Sequence, residues 1–204
     1  MRRVVALSGK RFAGKDTLAG EVVVQAAARG ALVELFAFAA ESKRMFAAWQ
    51  AARGVEVSLA GLLADRAYKE LWRPRLTEFT LAALREDPLV FCRAVADRMA
   101  AARGFAIVTD LRLRSEVIHL RSRFELWVVR VTRSSALREA SGWRYTPGVD
   151  DHSTETELDD PGLWDEEFLN DGTRAQLGSR VAGRVMGWLG PCGNAPGADG
   201  PQAR

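Results

Sequence analysis

The chain has 204 residues and a mass of 22.4 kDa, with 48% apolar and 27% charged residues, enough for one globular domain whose core needs no staples. Its net charge of +3 and pI of about 9.2 are a mild basic excess rather than the stripe of a nucleic-acid-binding surface. Apolar runs too short for a membrane helix or a signal peptide, two cysteines (Cys92, Cys192) and two isolated histidines (His119, His152) argue against a membrane protein, a disulfide framework and a His-based metal site, so a reducing cytoplasm is the expected setting.

In chain order, residues 2–7 read as a short buried strand, followed by the glycine-rich turn SGKRFAGKD. A helical pattern runs from about Lys15 to Arg29, with Gly30 as its stop, and 32–38 is a second strand. Helical signal then dominates 41–53, 59–72 and 75–86, with Pro74 marking a boundary, and Asp87-Pro88 reads as the N-cap and first residue of a helix over 88–103. The apolar strand 105–110 ends in a carboxylate; a helix over 114–123 leads to a buried strand at 125–131 and a helix at 134–141. A polar, turn-rich stretch precedes a last strand at 166–170 and a closing helix at 173–189. Residues 190–204 hold three of the seven prolines, bury almost nothing and are expected to be disordered. Buried strands alternating with helices imply a three-layer α/β domain over 1–189: a parallel sheet of about five strands flanked by helices. The helical block at 41–103 exceeds what a crossover needs and suits a substrate-binding insertion.

The chemistry starts at Gly9-x-x-x-x-Gly14-Lys15, which follows a strand and opens a helix, the context a phosphate-binding loop requires. Backbone N–H groups and the helix N-terminus can cradle nucleotide phosphates while Lys15 reaches the outer oxygens, with Lys10 and Arg11 adding charge. Asp16 stands where Ser or Thr is usual, followed by Thr17; as a hard oxygen ligand it can serve Mg²⁺ directly or through water. Asp110, at the end of its strand, is the expected second Mg²⁺-organising carboxylate, and Arg112 and Arg114 can clamp phosphate oxygens. Lys43, Lys69, Arg73, Arg85 and Arg93 form a cationic group on the helical block, with Glu70 placed to pair with Lys69 or Arg73. Arg130, Arg133 and Arg138 form another, suited to a lid over the transferring group. The acidic residues of 150–160 are read as a solvated loop rather than a metal cage. Only four of the 29 basic residues are lysines (Lys10, Lys15, Lys43 and Lys69), and all fall on these positions.

Read together, the motifs resemble the animal-type phosphomevalonate kinase family: SGKRxxGKD at 8–16, Tyr68-Lys69-Glu70 with Arg73, and Asp87-Pro88-x-x-Phe91-Cys92-Arg93. Thr109-Asp110-x-Arg112, Arg130, Arg138 and Gly142-Trp143-x-x-Thr146-Pro147-Gly148-Val149-Asp150-Asp151 complete the match, which runs with gaps over about 3–189. The resemblance implies an ATP- and Mg²⁺-dependent P-loop kinase that phosphorylates mevalonate 5-phosphate, has only small-molecule partners and acts as a monomer. It assigns Lys10, Arg11, Lys15 and Asp16 to the phosphate loop; Lys43, Lys69, Arg73, Arg93 and Arg112 to the acceptor; and Arg130 and Arg138 to the nucleotide side and a lid at about 133–145. The catalytic set it implies is Lys10, Lys15, Asp110 and Arg112. Phe12, Leu113 and Ser141 depart from it by replacing expected basic residues, although Arg114 can stand in for the one lost at Leu113.

Phage-type deoxynucleoside monophosphate kinases share GKDT, TDxRxxxE (109–116) and SETELDD-like residues (153–160), and are the nearest alternative. A non-catalytic nucleotide switch is a further one, without the N-K-x-D motif of guanine selection. Dispersed arginines make nucleic-acid binding the weakest.

Overall fold

In the computed structural model, which describes residues 1–190, five strands form one parallel sheet in the order β2-β3-β1-β4-β5. The strands are β1 (Arg3–Ser8), β2 (Val33–Phe36), β3 (Phe105–Val108), β4 (Glu125–Thr132) and β5 (Glu166–Leu169). Their alternation decides the layers. Val4, Ala6, Ala106, Val108 and Val128 face one side, where they meet Phe91, Cys92, Val95 and Met99 of α5 (Val90–Ala101) and Val117 and Leu120 of α6 (Arg114–Arg123). Val5, Leu7, Ile107, Val129 and Val131 face the other, under α1 (Lys15–Ala27) and α9 (Arg174–Leu189). The three-layer α/β fold expected from the sequence is therefore the one found. The expected disordered tail, Gly190 apart, lies outside the described residues.

The helical block comprises α2 (Phe38–Ala51), α3 (Leu59–Ala64) and α4 (Arg66–Glu86), and has a small core of its own in Phe46, Val57 and Leu62 against Tyr68, Trp72 and Phe79. Three boundaries differ from expectation. The strand at 32–38 stops at Phe36, because Asp110 accepts hydrogen bonds from the amides of Phe38 and Ala39 and draws them into the first turn of α2. Pro74 does not divide the block: α4 runs straight through it, and the break lies at Asp65, whose carboxylate caps the Tyr68 amide. That proline is tolerated because no residue of α4 is fully buried and Glu70, whose carbonyl it deprives of a donor, is exposed to water. Asp87 and Pro88 form a turn instead of opening α5; the Asp87 side chain accepts the Leu89 amide one residue before the helix.

Candidate active site

The loop after β1, the central strand, carries the site, at the carboxyl ends of the strands where open α/β sheets bind ligands. Its glycines are required by space as well as by dihedral angle. Gly14 is left-handed (φ 93°), and a Cβ there would collide with Asn170; one at Gly9 would strike the Val131 carbonyl. Asn170, just beyond β5, donates to the Ala13 carbonyl at 2.9 Å and pins the loop from the next strand but one. The sequence placed Asn170 only as a strand end.

Lys15 opens α1 and donates to the Gly9 and Lys10 carbonyls at 2.5 and 3.1 Å. Burial lowers its pKa to about 8, helped by the nearby Arg112 and Arg130 and opposed by Glu155 and Asp16. Arg130 Nη1 donates to Ser8 Oγ at the end of β1 at 3.0 Å, and Arg112 pairs with Glu155, which also accepts the Arg11 amide, so both arginines arrive from other segments at the loop that carries Lys15. Asp110 is there as well: burial raises its pKa against the pull of the Ala39 and Phe38 amides, with Arg112 and Lys15 nearby. Lys43 on α2 is lowered by burial and by Lys69 on α4, with Asp110 opposing. No ion pair is found for either lysine among the described residues.

Other expected cations are tied down. Arg73 makes a two-pronged pair with Glu70 at 2.5 Å on the exposed face of α4, settling which neighbour Glu70 takes. Arg93 pairs with Asp87, and its charge acts on His119 of α6. The Arg112 and Leu113 amides both donate to Glu116 at 2.9 Å, fixing the loop that carries Arg112; burial pushes the Glu116 carboxyl up to about 7.

The largest departure concerns residues 150–160, expected as a solvated loop. Asp150 and Glu155 are buried, and the segment, which includes α8 (Ser153–Thr156), covers the site cations. Glu155 pairs with Arg112 and accepts the Arg11 amide; Asp159 pairs with Lys10 at 2.8 Å and with Arg130; Asp160 pairs with Arg114 at 3.1 Å. These ion pairs pack the run against the site cations, with Asp150 and Glu155 buried while Asp151, Glu157, Asp159 and Asp160 keep contact with water. Asp150 accepts from Trp143 Nε1 and the Thr146 amide at 3.0 and 2.8 Å, folding the GWxxTPGVDD turn. That turn lays Trp143 under Arg138 of α7 (Ser135–Ala140), 3.8 Å from ring centre to guanidinium, while Arg138 Nε donates to the Arg11 carbonyl at 2.9 Å.

For Mg²⁺, the exposed Asp16 and the half-buried Asp110 are the available carboxylates. No cluster of three or more His, Cys, Asp or Glu suited to a metal occurs among the described residues. This donor set fits an ion that keeps several waters and takes its remaining ligands from substrate phosphates.

A glycine-rich loop leaving the central strand of a parallel sheet, its lysine among converging arginines, makes this chain a P-loop phosphotransferase. It belongs to the phosphomevalonate kinase family: the model of that family, "Phosphomevalonate kinase", matches residues 7–126. The phosphomevalonate kinase of Drosophila melanogaster is 27% identical over 165 residues, covering 78% of this chain and 83% of that one. Similar solved structures include a sugar kinase from a Janibacter species (18% identity, TM-score 0.49, 94% of this chain and 96% of that one). Shikimate kinase from Aquifex aeolicus is another (12%, TM-score 0.48, 92% and 99%). No helix among the described residues is long and apolar enough to cross a membrane.

Proposed function

We propose that this chain transfers the γ-phosphoryl group of ATP to the phosphate of mevalonate 5-phosphate, giving mevalonate 5-diphosphate and ADP. The observation that carries this reading is the convergence of Lys15, Arg112 and Arg130 on one loop, inside a chain whose residues 7–126 match the family. The nucleophile is already an anionic phosphate oxygen, so no general base is needed, and catalysis is alignment and charge neutralisation. Amides of the loop through Gly9 and Gly14, with Lys10, Lys15 and Thr17, bind the donor phosphates, and Arg11 adds its positive charge. Arg112 lies between donor and acceptor, and Arg130 and Arg138 hold the nucleotide side. Lys43 and Lys69 bind the acceptor, on a helical block at about 41–103, with Arg73, Arg93 and Arg114 at its margin once their present partners yield. Residues 133–145 serve as the lid. Asp16 and Asp110 would hold Mg²⁺, which would supply neutralising charge at the transferring phosphoryl group.

Phosphorus NMR of a mixture of enzyme, Mg-ATP and mevalonate 5-phosphate tests the reading. Paired diphosphate resonances of the new product are expected; inorganic phosphate and ADP alone would contradict it.

A further inference from the structure

We propose that Glu155 is a positioning residue for phosphoryl transfer: its carboxylate bridges the phosphate-loop backbone and Arg112, and so fixes the spacing between donor and acceptor phosphates. The proposal rests on the phosphomevalonate kinase reading. Each carboxylate oxygen serves a different element. Oε2 accepts the Arg11 amide at 3.1 Å, and Oε1 pairs with Arg112, whose guanidinium also donates to the Thr154 carbonyl at 3.3 Å. The bridge is not a loose flap. Glu155 is 7% exposed, and three residues on, Leu158 (2% exposed) belongs to the core cluster that α5 and α6 form against the sheet.

The Arg11 peptide is clamped from both sides, its N–H by Glu155 and its carbonyl by Arg138. The next residue, Phe12, is left-handed (φ 61°), a conformation that costs a non-glycine residue about 1–3 kcal/mol and persists only where its surroundings hold it. The clamp supplies that hold. Glu155 thus keeps the loop in shape and Arg112 in register with it.

The test compares E155Q and E155D with the wild type in steady-state kinetics and thermal melting. Glutamine keeps the shape but has one acceptor oxygen, so Arg11 or Arg112 loses its partner; aspartate keeps both oxygens one methylene short. With E155Q, kcat should fall about 30-fold or more while both KM values stay within about 3-fold or decrease, since a negative charge near two polyanions has been removed. E155D should also lose kcat, since its carboxylate no longer reaches both partners.

An E155Q kcat within about 3-fold of wild type overturns the proposal, and so does a rise in kcat/KM, which would make Glu155 a competitor of phosphate. A fall in kcat matched by rises in both KM values, or loss of cooperative melting in both variants, makes the role structural and overturns it too. A wild type inactive with mevalonate 5-phosphate overturns the functional reading instead; the bridge is then judged with whichever acceptor the wild type uses.

Discussion

At the scale of single residues, Lys15 is the sharpest case. Its charged form is disfavoured by burial and by neighbouring arginines, yet binding ATP requires that charge. Lys15→Met should abolish turnover while leaving the melting temperature unchanged or raised, because a desolvated cation is lost; a large drop in melting temperature would contradict this. In the free enzyme, deprotonation as pH rises through about 8 should bring down kcat/KM for ATP on the alkaline side. A profile flat to pH 9.5 or so would show that Lys15 does not report on nucleotide binding. Lys69, with no ion partner among the described residues, should act on the acceptor alone. Lys69→Ala is expected to raise KM for mevalonate 5-phosphate by about 10-fold or more and KM for ATP by less than about 2-fold; equal effects would remove it from the acceptor side. The positions of Lys10, Lys15, Lys43 and Lys69 were legible from their scarcity and spacing. The partners of Arg73, Arg93 and Arg112 were not, since ion pairing depends on which side chains the fold brings within reach.

At the scale of elements, sequence reasoning located every strand and most helices, and its errors have local causes. The early end of β2 and the start of α2 at Phe38 are set by Asp110, 72 residues away, and no local signal reports that contact. Asp110 thereby couples the loop carrying Arg112 to the helix carrying Lys43. Asp110→Asn leaves one oxygen to serve two amides, and should lower stability to urea by about 1 kcal/mol, in the range of a lost helix cap. It should also raise KM for mevalonate 5-phosphate, because α2 is no longer held at its first turn; unchanged stability would show that the two bonds do not anchor it. Pro74 misled for a different reason. Proline breaks helices whose freed carbonyl is buried, and α4 is exposed along this face. The acidic segment misled in part: charge content suggested a free solvated loop, whereas Asp150, Glu155, Asp159 and Asp160 pair with five cations from three segments, the loop after β1, the loop after β3, and β4.

At the scale of the whole molecule, the sheet order explains why the site lies where it does. β1 is central, so its loop opens between the connections leaving β3 and β4, and Arg112 and Arg130 arrive from those two neighbours. The parallel sheet could be read from buried strands alternating with helices; the strand order and the fold-back of 150–160 over the loop could not, because both are set by long-range packing. The cation constellation and the family match together make the central claim one of acceptor choice: two phosphates joined, one of them on mevalonate. The most direct measurement is a coupled ADP-release assay offering mevalonate 5-phosphate and each deoxynucleoside monophosphate in turn. Selective turnover of mevalonate 5-phosphate, with kcat/KM at least about 100-fold above any nucleotide, is the expected result. Turnover of a deoxynucleoside monophosphate with none of mevalonate 5-phosphate would contradict the account.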